Sequence, residues 1–259
     1  MAAVAAIALA GMGTANAQTK IAVFGDNATD DFINGLAGYQ AVLVSDMDLA
    51  TPGFLTGSGF SAFYFTRNGA SFGSGLSVAA AANVASYVGL TGNVVLLNGD
   101  FADGIGNASI NQLTSNSVMF AAASGNGFIG EFNGAVSALT ANSNGFTPLS
   151  LIPGTAGPLG LGNGGSQGSL NQTAAGAGSP VLAGLSFPFN PVGVDFGSVL
   201  TGVPNALVVA TFDGGNPGII VRQGTAAPGN AIPEPGTLAL ASTGLIGLIG
   251  CVRRRKAAA

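Results

Sequence analysis

The chain has 259 residues with only 7 Lys+Arg and 11 Asp+Glu, so 7% of its side chains are charged, where a soluble domain usually carries about 25%. It holds 43 Gly, a single Cys (Cys251), and neither His nor Trp. These absences exclude Ser-His-Asp and Cys-His catalysis, His-ligated zinc or haem iron, an imidazole switch near neutral pH, and any intrachain disulfide or cysteine-built metal cage.

Charge is also unevenly spread. Four of the seven cations are Arg253, Arg254, Arg255 and Lys256, so the stretch from Gln18 to Ile232 keeps Lys20, Arg67 and Arg222 against ten carboxylates. A nucleic-acid surface needs clustered cations to neutralise phosphates, and this stretch has none. No G-x-x-x-x-G-K or G-x-G-x-x-G follows a predicted strand, so nucleotide binding is unsupported.

In chain order, Ala2 to Gly13 is an apolar run followed by Ala15-Asn16-Ala17 and Gln18. This is the h-region and A-x-A pattern of a secretory signal peptide, with cleavage after Ala17, although no Lys or Arg precedes the run. The competing reading is an Ala-rich buried helix. Residues 18–222 form the body. Its first half alternates apolar runs with helical ones: a strand Lys20–Phe24, a helix Thr29–Leu36, a strand Gln40–Val44, a loop holding Pro52 and Gly53, and a strand Phe60–Thr66. An Ala-rich helix Leu76–Val88 and a strand Asn93–Leu97 follow. Near-continuous apolar strands separated by helices predict an α/β fold with a doubly wound, mostly parallel sheet of flavodoxin-like kind. A mixed helical segment is expected over Ser115–Leu139, and a Gly/Ser/Pro-rich loop over 148–179. Ala206–Phe212 and Gly218–Arg222 then read as a hairpin around Asp213-Gly214-Gly215-Asn216, and residues 223–232 as a linker.

The order of these elements, with the late segment SPVLAGL and the closing NALVVATFDGGNPGIIVR, resembles class I glutamine-amidotransferase-like and ThuA-like domains over roughly residues 20 to 222. In such enzymes the nucleophile occupies a tight turn after a central strand, here Thr66-Arg67-Asn68-Gly69. No Cys stands there and the chain has no His, so the resemblance implies the fold without its chemistry.

Ligands of open parallel sheets bind beyond the carboxyl ends of the strands, where Asp26, Asp46, Arg67 and Asp100 are predicted to lie. Oxygen ligands suit a hard divalent cation, and Arg67 among carboxylates suits a saccharide hydroxyl or a carboxylate ligand. The alternative is that Asp and Asn there merely cap helices and form turns. A two-carboxylate glycosidase needs no His, but Glu131 is the only Glu of the body and no Trp supplies a sugar platform. The body therefore reads as non-catalytic and without a cofactor. Asn-x-Ser/Thr triplets at Asn27, Asn107 and Asn171 are expected from composition alone.

The tail is the most specific feature. Pro233-Glu234-Pro235 precedes fifteen uncharged residues, Leu238–Val252, and then the basic run Arg253 to Lys256. Both prolines fix φ and hold Glu234 extended. Fifteen helical residues make about 22 Å, short of the roughly 30 Å hydrocarbon core, so this transmembrane helix spans only with snorkelling and local thinning. The basic stop places the body outside the inner membrane. Cys251, at the cytoplasmic end of that helix, reads as a small apolar residue, with acylation as the alternative. Triplet, helix and basic cluster over 233–256 together resemble the PEP-CTERM sorting domain of Gram-negative bacteria. That resemblance implies processing by exosortase, a transient membrane anchor, and a place at the cell surface or in an extracellular exopolysaccharide, biofilm or floc matrix. The plainer reading is a single-pass anchor with an incidental Pro-Glu-Pro.

Overall fold

Strand β1 (Thr19–Phe24) opens the fold, and α1 (Asn27–Asn34), β2 (Tyr39–Leu43), α2 (Asp46–Ala50), α3 (Phe54–Gly57), β3 (Phe60–Phe65), α4 (Val78–Val88) and β4 (Val94–Leu97) follow. The computed structural model describes residues 18–25, 27–66, 76–131, 151–152, 157–160, 168–191 and 199–225. Later come α5 (Ala108–Ala122), β5 (Gly127–Glu131), β6 (Gly157–Gly160), β7 (Leu170–Gln172), β8 (Val199–Thr201), β9 (Val208–Phe212) and β10 (Pro217–Arg222). Eight strands make one sheet in the order β2-β1-β3-β5-β4-β10-β9-β7, and β6 pairs with β8 separately. The first five strands are parallel; β10, β9 and β7 add antiparallel pairings. The result is a mixed, mostly parallel α/β sheet. Its parallel block runs 2-1-3-5-4, and differs from the flavodoxin order 2-1-3-4-5 in where the last two strands stand.

Alternate residues of each strand face opposite sides, and both sides are buried. Ile21, Val23, Tyr64, Leu97 and Ile129 pack with Ile33 of α1 and Leu113 of α5. Ala22, Phe63, Leu96 and Phe128 pack with Leu49 of α2, Leu55 of α3 and Val84 of α4. Each large apolar side chain buried this way contributes about 1.5–3 kcal/mol relative to exposure. Helices on both faces explain why the strand sequences are apolar at consecutive positions.

Several expectations need correction. The loop holding Pro52 and Gly53 leads from α2 into α3, both short helices; α2 is closed by a capping box in which Ser45 and Asp48 exchange hydrogen bonds. The segment expected to be helical over Ser115–Leu139 starts as a helix much earlier, where Asn107 accepts from the Ser109 N–H at 3.0 Å, and ends at Ala122. Ser124-Gly125-Asn126-Gly127 breaks it, and residues 127–131 are the central strand β5. A Cβ on Gly127 would sit 2.1 Å from the Ala121 carbonyl oxygen, so glycine is what lets the helix end pass the strand start. The stretch 148–179, expected as a loop, contributes β6 and supplies β7, which closes the far edge of the main sheet. Asp213 holds β7 there, accepting from Ser169 N at 2.9 Å and Asn171 Nδ2 at 2.8 Å.

Arg222, the last residue of β10, is buried and donates to three backbone carbonyls: Leu151 at 2.8 Å, Gly89 at 2.8 Å and Gly92 at 2.7 Å. Gly89 is the C-cap of α4, so the cation meets the negative end of a helix. Two neighbouring bonds continue the seam: Gly224 N donates to Asn93 Oδ1 at 2.9 Å and Thr225 N to the Leu90 carbonyl at 3.0 Å. Arg222→Met leaves buried carbonyls without their charged donor. We expect it to lower unfolding free energy by at least about 2 kcal/mol, read as a reduced urea midpoint with native circular dichroism in buffer.

Candidate functional site

The carboxyl ends of the parallel strands form one edge of the sheet. Asp46 stands just past β2 and its Oδ1 accepts from the Ser77 N–H at 2.7 Å, while Ser77 caps α4 by accepting from Ala80 N at 3.3 Å. Asp46 thus joins the start of α2 to the start of α4. Asp48 beside it accepts from the Ser45 hydroxyl at 2.6 Å and the Ser45 N–H at 2.8 Å, which holds its carboxyl below the usual range. Asp100 follows β4 and is buried. Asp26 and Arg67 lie outside the described residues, as does most of the turn after Thr66.

The sheet does not bring Asp46 and Asp100 together. The strands they follow, β2 and β4, are four steps apart in the sheet, about 19 Å at the usual spacing, so one small cation or sugar ring cannot touch both. Among the described residues, no three His, Cys, Asp or Glu side chains are grouped to hold a metal ion.

Sequence reasoning missed the polar centre of this edge. Glu131 ends β5 and is buried; its Oε1 accepts from the Tyr64 hydroxyl, and its Oε2 accepts from the Ala102 N–H at 2.7 Å. The bonds tie β3 and β5 to the 3-10 turn Ala102–Gly104 after β4. Burial, then the charge and hydrogen bond of Glu131, then the charge of Asp100, push the Tyr64 hydroxyl well above its ordinary pKa. The signal was available: a lone Glu closing the run Phe128-Ile129-Gly130, which follows directly on the break Gly125-Asn126-Gly127. One further contact narrows the edge. Gly25 has φ +123°, and a Cβ there would lie 2.2 Å from the Thr66 carbonyl oxygen, while Thr66 N donates to the Phe24 carbonyl at 2.9 Å.

Charge is segregated along the strand direction. Asp30 and Asp31 lie in α1, which starts beyond β1; Asp46 and Asp48 lie in α2, beyond β2. Asp100 and Asp103 follow β4, Glu131 ends β5, and Asp213 turns β9 into β10. Since β9 runs in the same sense as β4, the described carboxylates outside α1 lie on the carboxyl-end side, while Asp30 and Asp31 stand midway along α1. The described cations, Lys20 at the start of β1 and Arg222 opposite Val94 at the start of β4, are on the amino-end side.

The signal-cleavage residues Ala15 and Ala17, the triplet Pro233-Glu234-Pro235, the helix 238–252 and the basic run Arg253, Arg254, Arg255 and Lys256 lie outside the described residues; Gln18 immediately precedes β1. Among the described residues, no helix is long and apolar enough to cross a membrane. Residues 231–255 match the PEP-CTERM protein-sorting motif. No curated protein and no solved structure matches the chain.

The chain has three tyrosines and no Trp, so its tyrosinate absorbance reads Tyr39, Tyr64 and Tyr87 alone. Burial raises all three, Tyr64 and Tyr87 strongly. A raised folded pKa stabilises fully below the unfolded value of about 10 and is lost as pH climbs above it. We expect the half-buried Tyr39 to ionise first and the other two only together with the loss of circular dichroism. Tyr64→Phe, which strips a donor from buried Glu131, should lower stability by about 1–3 kcal/mol and shrink the alkaline absorbance step.

Proposed function

We propose, from the PEP-CTERM motif at residues 231–255, that the chain is exported across the inner membrane, held there by its C-terminal helix, and processed by exosortase into a cell-surface or extracellular matrix protein. The motif match is the observation that carries this reading. Pro233-Glu234-Pro235 supplies the extended segment for the enzyme, Leu238–Val252 the apolar span, and Arg253 to Lys256 the cytoplasmic stop. An exopolysaccharide, biofilm or floc matrix of a Gram-negative bacterium is the destination that this class of tail suggests.

The body serves as a non-catalytic structural unit in this proposal. Support comes from the absent His, from a lone Cys in the tail, and from strand-end carboxylates engaged in folding contacts: Asp46 on Ser77, Glu131 on Tyr64 and Ala102. The amidotransferase-like outline belongs to the same proposal. Five parallel strands and a closing hairpin support it, and such a body without Cys or His in its nucleophile turn performs no amidotransfer.

Replacing Pro233-Glu234-Pro235 with three alanines, in a host that carries the processing enzyme, tests the assignment. The parent should shorten and leave the inner-membrane fraction, while the variant keeps its full size and stays in that fraction. Equal trimming of both would refute sorting through this motif.

A further inference from the structure

A cleft runs along the amino-end edge of the sheet, between α3, the last turns of α4 and the turn before β5. One part, about 150 Å³, is lined by residues that include Phe54, Thr56, Asn83, Ser86 and Tyr87. The next part, about 440 Å³, is lined by Thr56, Tyr87, Ser61 and Asn126 among others. The two share Thr56 and Tyr87, so they form one cleft, of the size usual for small-ligand pockets, about 300–1,000 Å³. Local sequence explains the wall that α4 supplies. Asn83, Ser86 and Tyr87 stand at i, i+3 and i+4 and share one helix face, beside the face of Ala80, Val84 and Val88 that is buried.

No residue lining either part is charged. Hard cations take carboxylate oxygens, and phosphates and carboxylates take Arg or Lys, so the cleft suits neither kind of ion. Its polar groups are held in place and left partly free. Asn83 donates its Nδ2 to the Leu49 carbonyl at 2.9 Å, and Asn126 donates its Nδ2 to the Val88 carbonyl at 3.2 Å and to Thr91 Oγ1 at 2.8 Å. Both side chains are fixed by these bonds, and both keep an amide oxygen as acceptor. The Tyr87 ring is fixed in the same way, its hydroxyl donating to the Phe60 carbonyl at 2.9 Å. The hydroxyls of Thr56, Ser61 and Ser86 bond to no described residue, and half-buried Phe54 and Tyr87 add ring surface between them. A ligand with many hydroxyls, no charge and apolar C–H faces matches this set: its hydroxyls donate to the amide oxygens and accept from Ser and Thr, and a C–H face lies on a ring. Groups already held in position lose little freedom when they bind.

We propose that this cleft binds a neutral oligosaccharide, with Asn83, Asn126, Thr56 and Ser86 bonding to its hydroxyls and Phe54 and Tyr87 bearing its C–H faces. The inference goes beyond the structural role proposed for the body and does not depend on the sorting tail. It places sugar binding at the edge of the sheet opposite to the strand carboxyl ends.

The full-length chain, kept in a detergent without a sugar headgroup, is titrated by calorimetry and ligand-detected NMR with gluco-, galacto- and manno-hexaoses, and with hexagalacturonate as the acidic probe. At least one neutral hexaose should bind with a Kd below about 1 mM. Hexagalacturonate should bind at least about ten-fold more weakly, because nothing in the cleft pairs with a carboxylate. Thr56 and Ser86 are exposed, so Thr56→Arg and Ser86→Arg fill the cleft without touching the core. Each should weaken neutral-sugar binding about ten-fold or more, with circular dichroism and the urea midpoint unchanged. Met47→Ser, at a position 81% exposed beyond the carboxyl end of β2, should bind as the parent does. Absence of binding by all three neutral hexaoses overturns the proposal. Binding that survives both Arg substitutions puts the sugar elsewhere on the body and overturns this site. Equal binding of hexagalacturonate overturns the neutral class of ligand.

Discussion

A sheet buried on both faces can present polar groups only at its two edges, and most of what distinguishes this chain follows from that constraint. Ile21, Ala22 and Val23 are consecutive and all buried, and Val94 to Leu97 repeat the pattern. Polar chemistry is thereby pushed to the strand ends. At the carboxyl ends the following helices begin, and helix starts favour Ser, Asp and Asn as caps and carboxylates in the first turn. Ser45, Asp46, Asp48, Ser77 and Asn107 occupy such positions. At the amino ends helices finish, their carbonyls need donors, and Arg222 supplies them at α4. The acidic edge and the nearly neutral edge are two results of one topology.

That same constraint decided which elements could be read from the sequence. Strands β1 to β4 and helix α4 are local statements: an apolar run bounded by Gly, Asn or Asp identifies each one, and the boundaries shift by only a residue or two. The β9–β10 hairpin is equally local, with Asp213-Gly214-Gly215-Asn216 between two β-prone runs. Strand β5 is central in space but short, and it begins at a glycine chosen for its close approach to Ala121, so its sequence looks like the end of a broken helix. Strand β7 has three residues inside a Gly/Ser-rich stretch. It exists because Asp213, more than forty positions later, holds Ser169 and Asn171, and no local pattern announces such a partner.

The candidate site shows the same divide. Asp46 and Asp100 were legible as strand-end carboxylates, because the residue after an apolar run is easily located. Their separation was not, since it depends on strand order, and strand order comes from packing between distant segments. Glu131 was visible as a lone charge but lacked a structural setting until β5 placed it against Tyr64 and the Ala102 turn. In the tail the situation is reversed: its meaning is carried by three adjacent features of sequence, and the body contributes the place from which it departs.

The seam at Arg222 also bears on load. Any pull on the chain beyond Thr225 would reach the body through β10, and β10 lies inside the sheet with β4 on one side and β9 on the other. Tension along the strand axis therefore acts on two ladders lengthwise, so that their hydrogen bonds share the force and must yield together. An edge strand such as β2 would instead have a single ladder to resist the pull. The three carbonyls gripped by the Arg222 guanidinium sit where the tension enters, binding the loop after α4 and the segment at Leu151 to the loaded strand. Such a pull would load the interior of the sheet and not its edge.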